Sequence, residues 1–373
     1  MPRVDGERVL DPKDLRRYAD AIVKASLNVG NGDTLVVTAE PAHRELAVAL
    51  SEAGYRAGAL IADVWYTDPL VIRARLEHAR EESLGLVTPW ADRRYRELIK
   101  PTGARVAITG DSDPGYLDGI PPKRIAADLV GAAKRVAYYR RANLDMRARW
   151  TGVAWPTDYW AGRIYPELSA LEAKRRLARD LLWFCRLTDA DGKGSTGWTA
   201  HLRRIEARSA KLSRLRLAGL ELRGPGTKLD LGLAPGTRWL GGREETPWGV
   251  KVAPNMPTEE SFTGPHAAAT NGTFTCSLPL SFQGRLIEGL RGVAGRRQRH
   301  PRAVAERDFT LRQMGQDLPR RPLARRVGAL ELVGAPRAGQ GANPRDGVAH
   351  RAHGLTVFEI GGIGGGRWHG SQS

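Results

Sequence analysis

"GNGDTLVVTAEPAHRELAVALSEAGYRAGALIADVWYT", residues 30–67, decides how the first half of the chain is read. Turn residues at 30–33 lead into TLVVTA (34–39), an apolar, β-branched run that reads as a buried strand. Residues 41–57 return to a helical pattern, and ALIADVWYT (59–67) to a strand. Upstream, Leu15, Tyr18, Ala19 and Ile22 fall at helical spacing. Downstream, DPLVIRARLEH (68–78) predicts a helix, ARVAITG (104–110) a strand, and 121–143 one long helix. Strands separated by helices of this length need crossover connections, which join parallel neighbours. The expectation is an α/β N-terminal domain with a mainly parallel sheet, over residues 1–200.

After residue 200 the pattern changes. A helix near 197–216 leads into LAGLELRGPGTKLDLGL, where Leu220 and Leu222, then Leu229, Leu231 and Leu233, alternate with other residues. Gly224-Pro225-Gly226-Thr227 between them predicts the turn of an antiparallel hairpin. Phe274, Cys276, Leu278, Leu280 and Phe282 occupy every second position of 273–282, which predicts one continuous strand with a buried face. Residues 201–292 are therefore read as an α+β domain with antiparallel strands. A chain of 373 residues is long enough for two cores.

Composition excludes several classes. With 41% hydrophobic residues and a mean hydropathy of -0.40, the chain is neither disordered nor built to cross a membrane. The polar start MPRVDGERVLDPKD lacks an apolar leader core, so a cytoplasmic location is expected. Only Cys185 and Cys276 occur, which suits a reducing compartment without a disulfide framework and leaves the sequon at Asn271 without consequence. The net charge of +17 admits a nucleic-acid binder as an alternative function. Much of that charge is local: residues 293–373 hold fourteen Arg, no Lys and six acids. An Arg-rich solvated surface accounts for the remainder. The ten Trp are scattered away from the basic clusters, which suits packing better than base stacking.

Familiar motifs are missing. GNGD, GPGT and GGIGGG lack the strand and spacing of a phosphate cradle, and DADGKGS (189–195) lacks the closing Glu of a calcium loop. No HExxH, CxxC or GxSxG occurs. One stretch differs. PNMPTEESF (254–262) carries Glu259 and Glu260 side by side, with Pro254 and Pro257 before them and Thr263-Gly264-Pro265 after. Adjacent loop carboxylates are commonly just solvated, but oxygen donors held between stiff flanks suit a divalent metal.

PNMPTEESFTGP, with PLSFQGRLIEGL (279–290) behind it, resembles the M29 family of metallo-aminopeptidases, the aminopeptidase T/S group. WYTDPLVIRARLEHAREESL, ITGDSDP, VAWPTDYWAGRIYPEL, GPGTKLDLGL and RWLGG are similar to family signatures and stand in family order. The resemblance covers about 10–291. It implies a cytoplasmic homodimer that removes N-terminal residues from peptides with a free N-terminus. It also implies two divalent ions in the C-terminal domain, drawn from zinc, cobalt, manganese or magnesium. The second Glu of PTEE is a metal ligand in that family, and Glu260 holds the position here. Glu259 matches no ligand of the family and is expected only to support Glu260 from outside the coordination sphere.

Past the PLSFQG strand the likeness stops. The family draws its other ligands from a GEVALV-like segment, a DENA…H motif and an H-x-D pair, and none of these occurs here. No Lys occurs after Gly292, the last being Lys251, while Arg, Gly, Pro and half of the eight His accumulate. A GC-rich gene read out of frame gives such a composition. Residues 293–373 are therefore expected to be a frameshifted or otherwise replaced tail behind an incomplete catalytic domain over 201–292, with a genuine basic extension as the alternative. His350, His353, Glu359 and His369 are potential replacement ligands, but their order and spacing resemble no family site. The tail's charge predicts non-specific binding to polyanions. Deleting 293–373 should abolish most binding to random duplex DNA at low salt, measured by fluorescence anisotropy across a salt series. Sequence-specific binding that survives the deletion would favour the nucleic-acid alternative.

Overall fold

The computed structural model describes residues 8–113, 115–188, 196–276, 280–282, 285–287, 289–294 and 302–305. The chain divides into two compact units, one of Met1–Arg204 with Gly242–Thr258, the other of Ile205–Gly241 with Glu259–Ser373.

The first unit is built on a parallel sheet in the order β2-β1-β3-β4-β9. Its strands are β1 (Thr34–Ala39), β2 (Ile61–Tyr66), β3 (Gly103–Thr109), β4 (Arg149–Ala154) and β9 (Asn255–Met256). Every pairing between them is parallel. β1 is apolar without alternation because both its faces are covered. Leu35 and Val37 join a core that includes Tyr18, Ile22, Leu46, Leu50 and Trp198. Val36 points the other way, to Leu98, Tyr139 and Ala142. Each fully buried side chain of this size contributes about 1.5–3 kcal/mol relative to exposure.

Local signals place the helices. Asp11 caps α1 (Pro12–Asp20) by accepting from the Lys13 and Asp14 amides, and Asp68 caps α3 (Pro69–His78). α2 (Arg44–Arg56) fills the β1–β2 crossover, and Thr88 caps α4 (Pro89–Leu98). The single helix expected over 121–143 is two, α5 (Pro122–Arg135) and α6 (Ala137–Leu144). Val136 leaves helical geometry at φ -102, ψ 26, and the axis breaks there. α7 (Asp158–Ile164) and α8 (Ala170–Phe184) follow, the latter opened by a Ser169–Glu172 capping box. The short strands β7 (Glu244–Glu245) and β8 (Lys251–Val252) pair with each other in the returning segment. Trp155 and Trp198 are among the largest fully buried side chains, so packing is their role. Among the described residues, no helix is long and apolar enough to cross a membrane.

In the second unit the sheet order is β14-β13-β10-β6-β5, all antiparallel. β5 (Gly219–Gly224) and β6 (Thr227–Gly232) form the expected hairpin, turning through Pro225 and Gly226, the latter at φ +68. The continuous strand expected over 273–282 is not observed. β10 (Asn271–Thr275) ends where the Cys276 amide turns to the Leu290 carbonyl. Leu280–Phe282 is instead β11, paired with β12 (Arg285–Ile287) in a separate two-stranded sheet. β10 lies between β6 and β13 (Leu290–Ala294), so both its edges are used. β14 (Arg302–Ala305) adds a further strand beyond residue 293. The calcium-like stretch after Thr188 lies outside the described residues.

One corner of the first unit has a definite response to pH. His43 is buried between the ends of β1 and β3. Its Nδ1 accepts the Glu40 amide at 3.0 Å and its Nε2–H donates to the Gly110 carbonyl at 2.8 Å, so the ring is neutral with a fixed tautomer. The Glu40 carboxylate accepts from the Ser112 amide and hydroxyl. Burial pushes the His43 pKa below its ordinary 6.5, against the pull of Gly110, Glu40 and Asp111. The unfolded chain therefore takes this proton first, and the contribution present above 6.5 is lost as pH falls below it. Burial and Glu40 raise the Asp111 pKa, an effect of opposite sign that relieves the fold as pH falls towards 3.8. His43→Gln should cost about 1–3 kcal/mol at neutral pH by leaving the Glu40 amide unpaired. It should also flatten the loss of melting temperature seen on acidification from neutral pH, as read by calorimetry. A mutant with the wild-type slope would show that His43 does not carry that dependence.

Candidate functional site

The acidic pair follows directly from β9. The Gly152 amide donates to the Pro254 carbonyl at 2.7 Å, and Asn255 and Met256 then pair with Gly152 and Val153 of β4. Pro257 follows through a cis peptide bond. The Thr258 carbonyl accepts from Nε2–H of His201, a buried residue of α9 (Gly197–Arg214), at 2.8 Å. Glu259 and Glu260 come next, both half-buried.

The following residues are held in turn. The Arg208 guanidinium, also from α9, donates through Nη2 to the Glu259 carbonyl and through Nε to Ser261 Oγ, the latter at 2.9 Å. Ser261 is buried and shares a 2.8 Å hydrogen bond with Ser209 Oγ. Phe262 and Leu240 exchange two backbone hydrogen bonds, each 2.8 Å. The Thr263 hydroxyl donates to the Arg238 carbonyl at 2.9 Å. The Glu260 carbonyl packs so close to Gly241 that a Cβ on Gly241 would lie 2.4 Å from it. A side chain there would displace the glutamate's own peptide group.

Two adjacent carboxylates in a stiff frame are a suitable corner for a hard or borderline divalent ion, which takes oxygen donors. They do not make a centre. Among the described residues, no group of three or more His, Cys, Asp and Glu side chains is gathered to hold a metal. Glu221 and Asp230 face each other across the β5–β6 hairpin, but Arg223 already binds both, at 3.3 and 2.6 Å. His350, His353, Glu359 and His369 lie outside the described residues.

The sequence pattern missed the support beneath the pair. His201, Arg208 and Ser209 lie seven and eight residues apart, which puts them on one face of α9. His201 and Ser209 take buried positions of α9 beside Trp198, Leu202 and Ile205 in the helical pattern, whereas Arg208 is exposed and carried no signal of its own.

Residues 11–293 match the family described as "Thermophilic metalloprotease (M29)". The chain belongs to the M29 metalloprotease family. Among curated proteins it is 32% identical to Aminopeptidase T of Thermus thermophilus over 331 residues, covering 87% of this chain and 78% of that protein. It is also 32% identical to Aminopeptidase T of Thermus aquaticus, covering 74% of this chain and 67% of that protein. Aminopeptidase PepS of Streptococcus thermophilus is 28% identical, covering 75% and 67%. The solved structure of wild-type AmpT from Thermus thermophilus superposes with a TM-score of 0.70 at 30% identity, covering 81% of this chain and 73% of that one. The family match ends close to the limit of 291 read from the motifs. The Aminopeptidase T alignment, by its extent, runs past residue 293. These relatives are aminopeptidases, and the matches lend no support to the nucleic-acid alternative.

Proposed function

We propose that this member of a metallo-aminopeptidase family is built to remove N-terminal residues from peptides, with Glu260 as a metal ligand. We further propose that the chain as written is impaired, because its metal sphere is incomplete. The observation that carries the first part is the family match through the acidic segment, together with relatives named as aminopeptidases. Bound divalent ions supply Lewis acidity and an activated water in such enzymes. This chain's own contribution is to hold Glu260 in a fixed place with Glu259 beside it, and a pair of ions is the arrangement proposed.

Substrates with a free N-terminus, a homodimer and a cytoplasmic location complete the reading. The two cysteines are both free, Cys185 buried and Cys276 partly so, which suits a reducing compartment. The division into 1–200, 201–292 and a replaced tail over 293–373 belongs to the same proposal. Pairing of Arg302–Ala305 with β13 keeps the start of that tail within the sheet. A change of reading frame beyond codon 292 would account for its composition, and the other two frames of the gene should then encode the missing ligand motifs.

The decisive experiment compares the chain with a version carrying a family-like C-terminus in frame. The chain as written should purify without stoichiometric divalent metal by mass spectrometry. It should release no chromophore from aminoacyl-nitroanilides with added zinc, cobalt or manganese. The repaired chain should recover activity that chelators remove. Glu260→Gln in the repaired chain should then abolish both metal retention and turnover, since it keeps size and polarity but loses the anionic donor. Full activity of the unrepaired chain would overturn the impairment, and full activity of the repaired Glu260→Gln variant would overturn the ligand.

A further inference from the structure

We infer that Arg208 of α9 is a positioning residue for Glu260, which it serves with Ser209 and Gly241 by fixing the backbone around that glutamate before any metal is bound. The proposal rests on the reading of Glu260 as a ligand, but its geometry is independent of metal.

Arg208 lies at an exposed position, yet its guanidinium is committed to protein partners. One nitrogen binds the Glu259 carbonyl and another the Ser261 hydroxyl, so a single planar fork grips the residues on either side of Glu260. Ser209, the next residue of the helix, holds the same Ser261 hydroxyl from inside the fold. Phe262 is fixed one step further by its two bonds to Leu240. The Glu260 peptide group is seated against Gly241 as well. It is located by contact, its carbonyl occupying the space that a Cβ on Gly241 would need. With 259, 261 and 262 tied and the 260 carbonyl seated, the backbone that carries Glu260 is held in place. A ligand prepared in this way loses little further freedom when a metal arrives. An ordinary packing contact between helix and loop would need neither a charged fork nor a bare glycine.

The test uses the full chain in EDTA, so that no metal contributes. Hydrogen exchange reads the amides of peptides spanning 257–263, and carbodiimide labelling with glycine ethyl ester reads the exposure of the Glu260 carboxyl. In the wild type, protection of this segment should be the same with and without EDTA. Arg208→Ala should speed its exchange by at least about tenfold and change the labelling rate of Glu260, with peptides over 34–39 and 103–109 unaffected. Arg208→Lys keeps the charge and one donor and should restore most of the protection. Should Arg208→Ala fail to fold, Ser209→Ala, which removes one hydroxyl, should give the same local signature at smaller amplitude. Wild-type exchange and labelling in a folded Arg208→Ala or Ser209→Ala protein would overturn the proposal, as would a wild-type segment that exchanges freely in EDTA. Metal content and turnover of Glu260→Gln test the ligand reading separately, and neither result alters the outcome here.

Discussion

Two residues of parallel pairing govern where the acidic segment begins. Asn255 and Met256 form the last strand of the first unit's sheet, and the Gly152–Pro254 hydrogen bond sets their register. A strand this short contributes little by itself, but its backbone groups must find partners once they are buried. β4 supplies those partners, and the chain leaves the sheet edge at one defined place. The glutamates follow three and four residues after Met256.

The features legible in the sequence are those with a period or a local chemical signature. β1 was readable because a strand covered on both faces is apolar throughout. The helices were readable where an Asp, Thr or Ser stood before them, and the β5–β6 hairpin because Pro-Gly enforces its turn. What escaped was decided by tertiary contact. Val136 gives no composition signal for the break between α5 and α6. Alternation over 273–282 was genuine, yet pairing partners change within it, and period alone does not report which strand lies alongside. β9 has two residues and therefore no period, so its return to the first unit's sheet had no trace in the pattern.

The candidate site divides in the same way. Glu259 and Glu260 were visible as an unusual doublet between prolines, and the family match places that doublet in a metallo-aminopeptidase context. Their holders were not visible, because Arg208 in a helix sequence looks like any solvated arginine. Its role emerges only from the carbonyl and hydroxyl that it reaches. The frame comes from residues before 263, whereas a coordination sphere needs further donors that the described residues do not gather.

Gly241 gives this arrangement an uneven tolerance to mutation. The residue has no functional group and would pass unnoticed in a search for reactive side chains. Yet every single-base change that alters this codon's amino acid installs a side chain, or a stop, where the Glu260 carbonyl already lies. Neighbouring exposed positions on α9, such as Arg203 or Lys211, can drift among polar residues with small effect. Genetic fragility at this site therefore extends to an atom that is absent, and a variant catalogue of the gene should be sparse at a position that performs no chemistry.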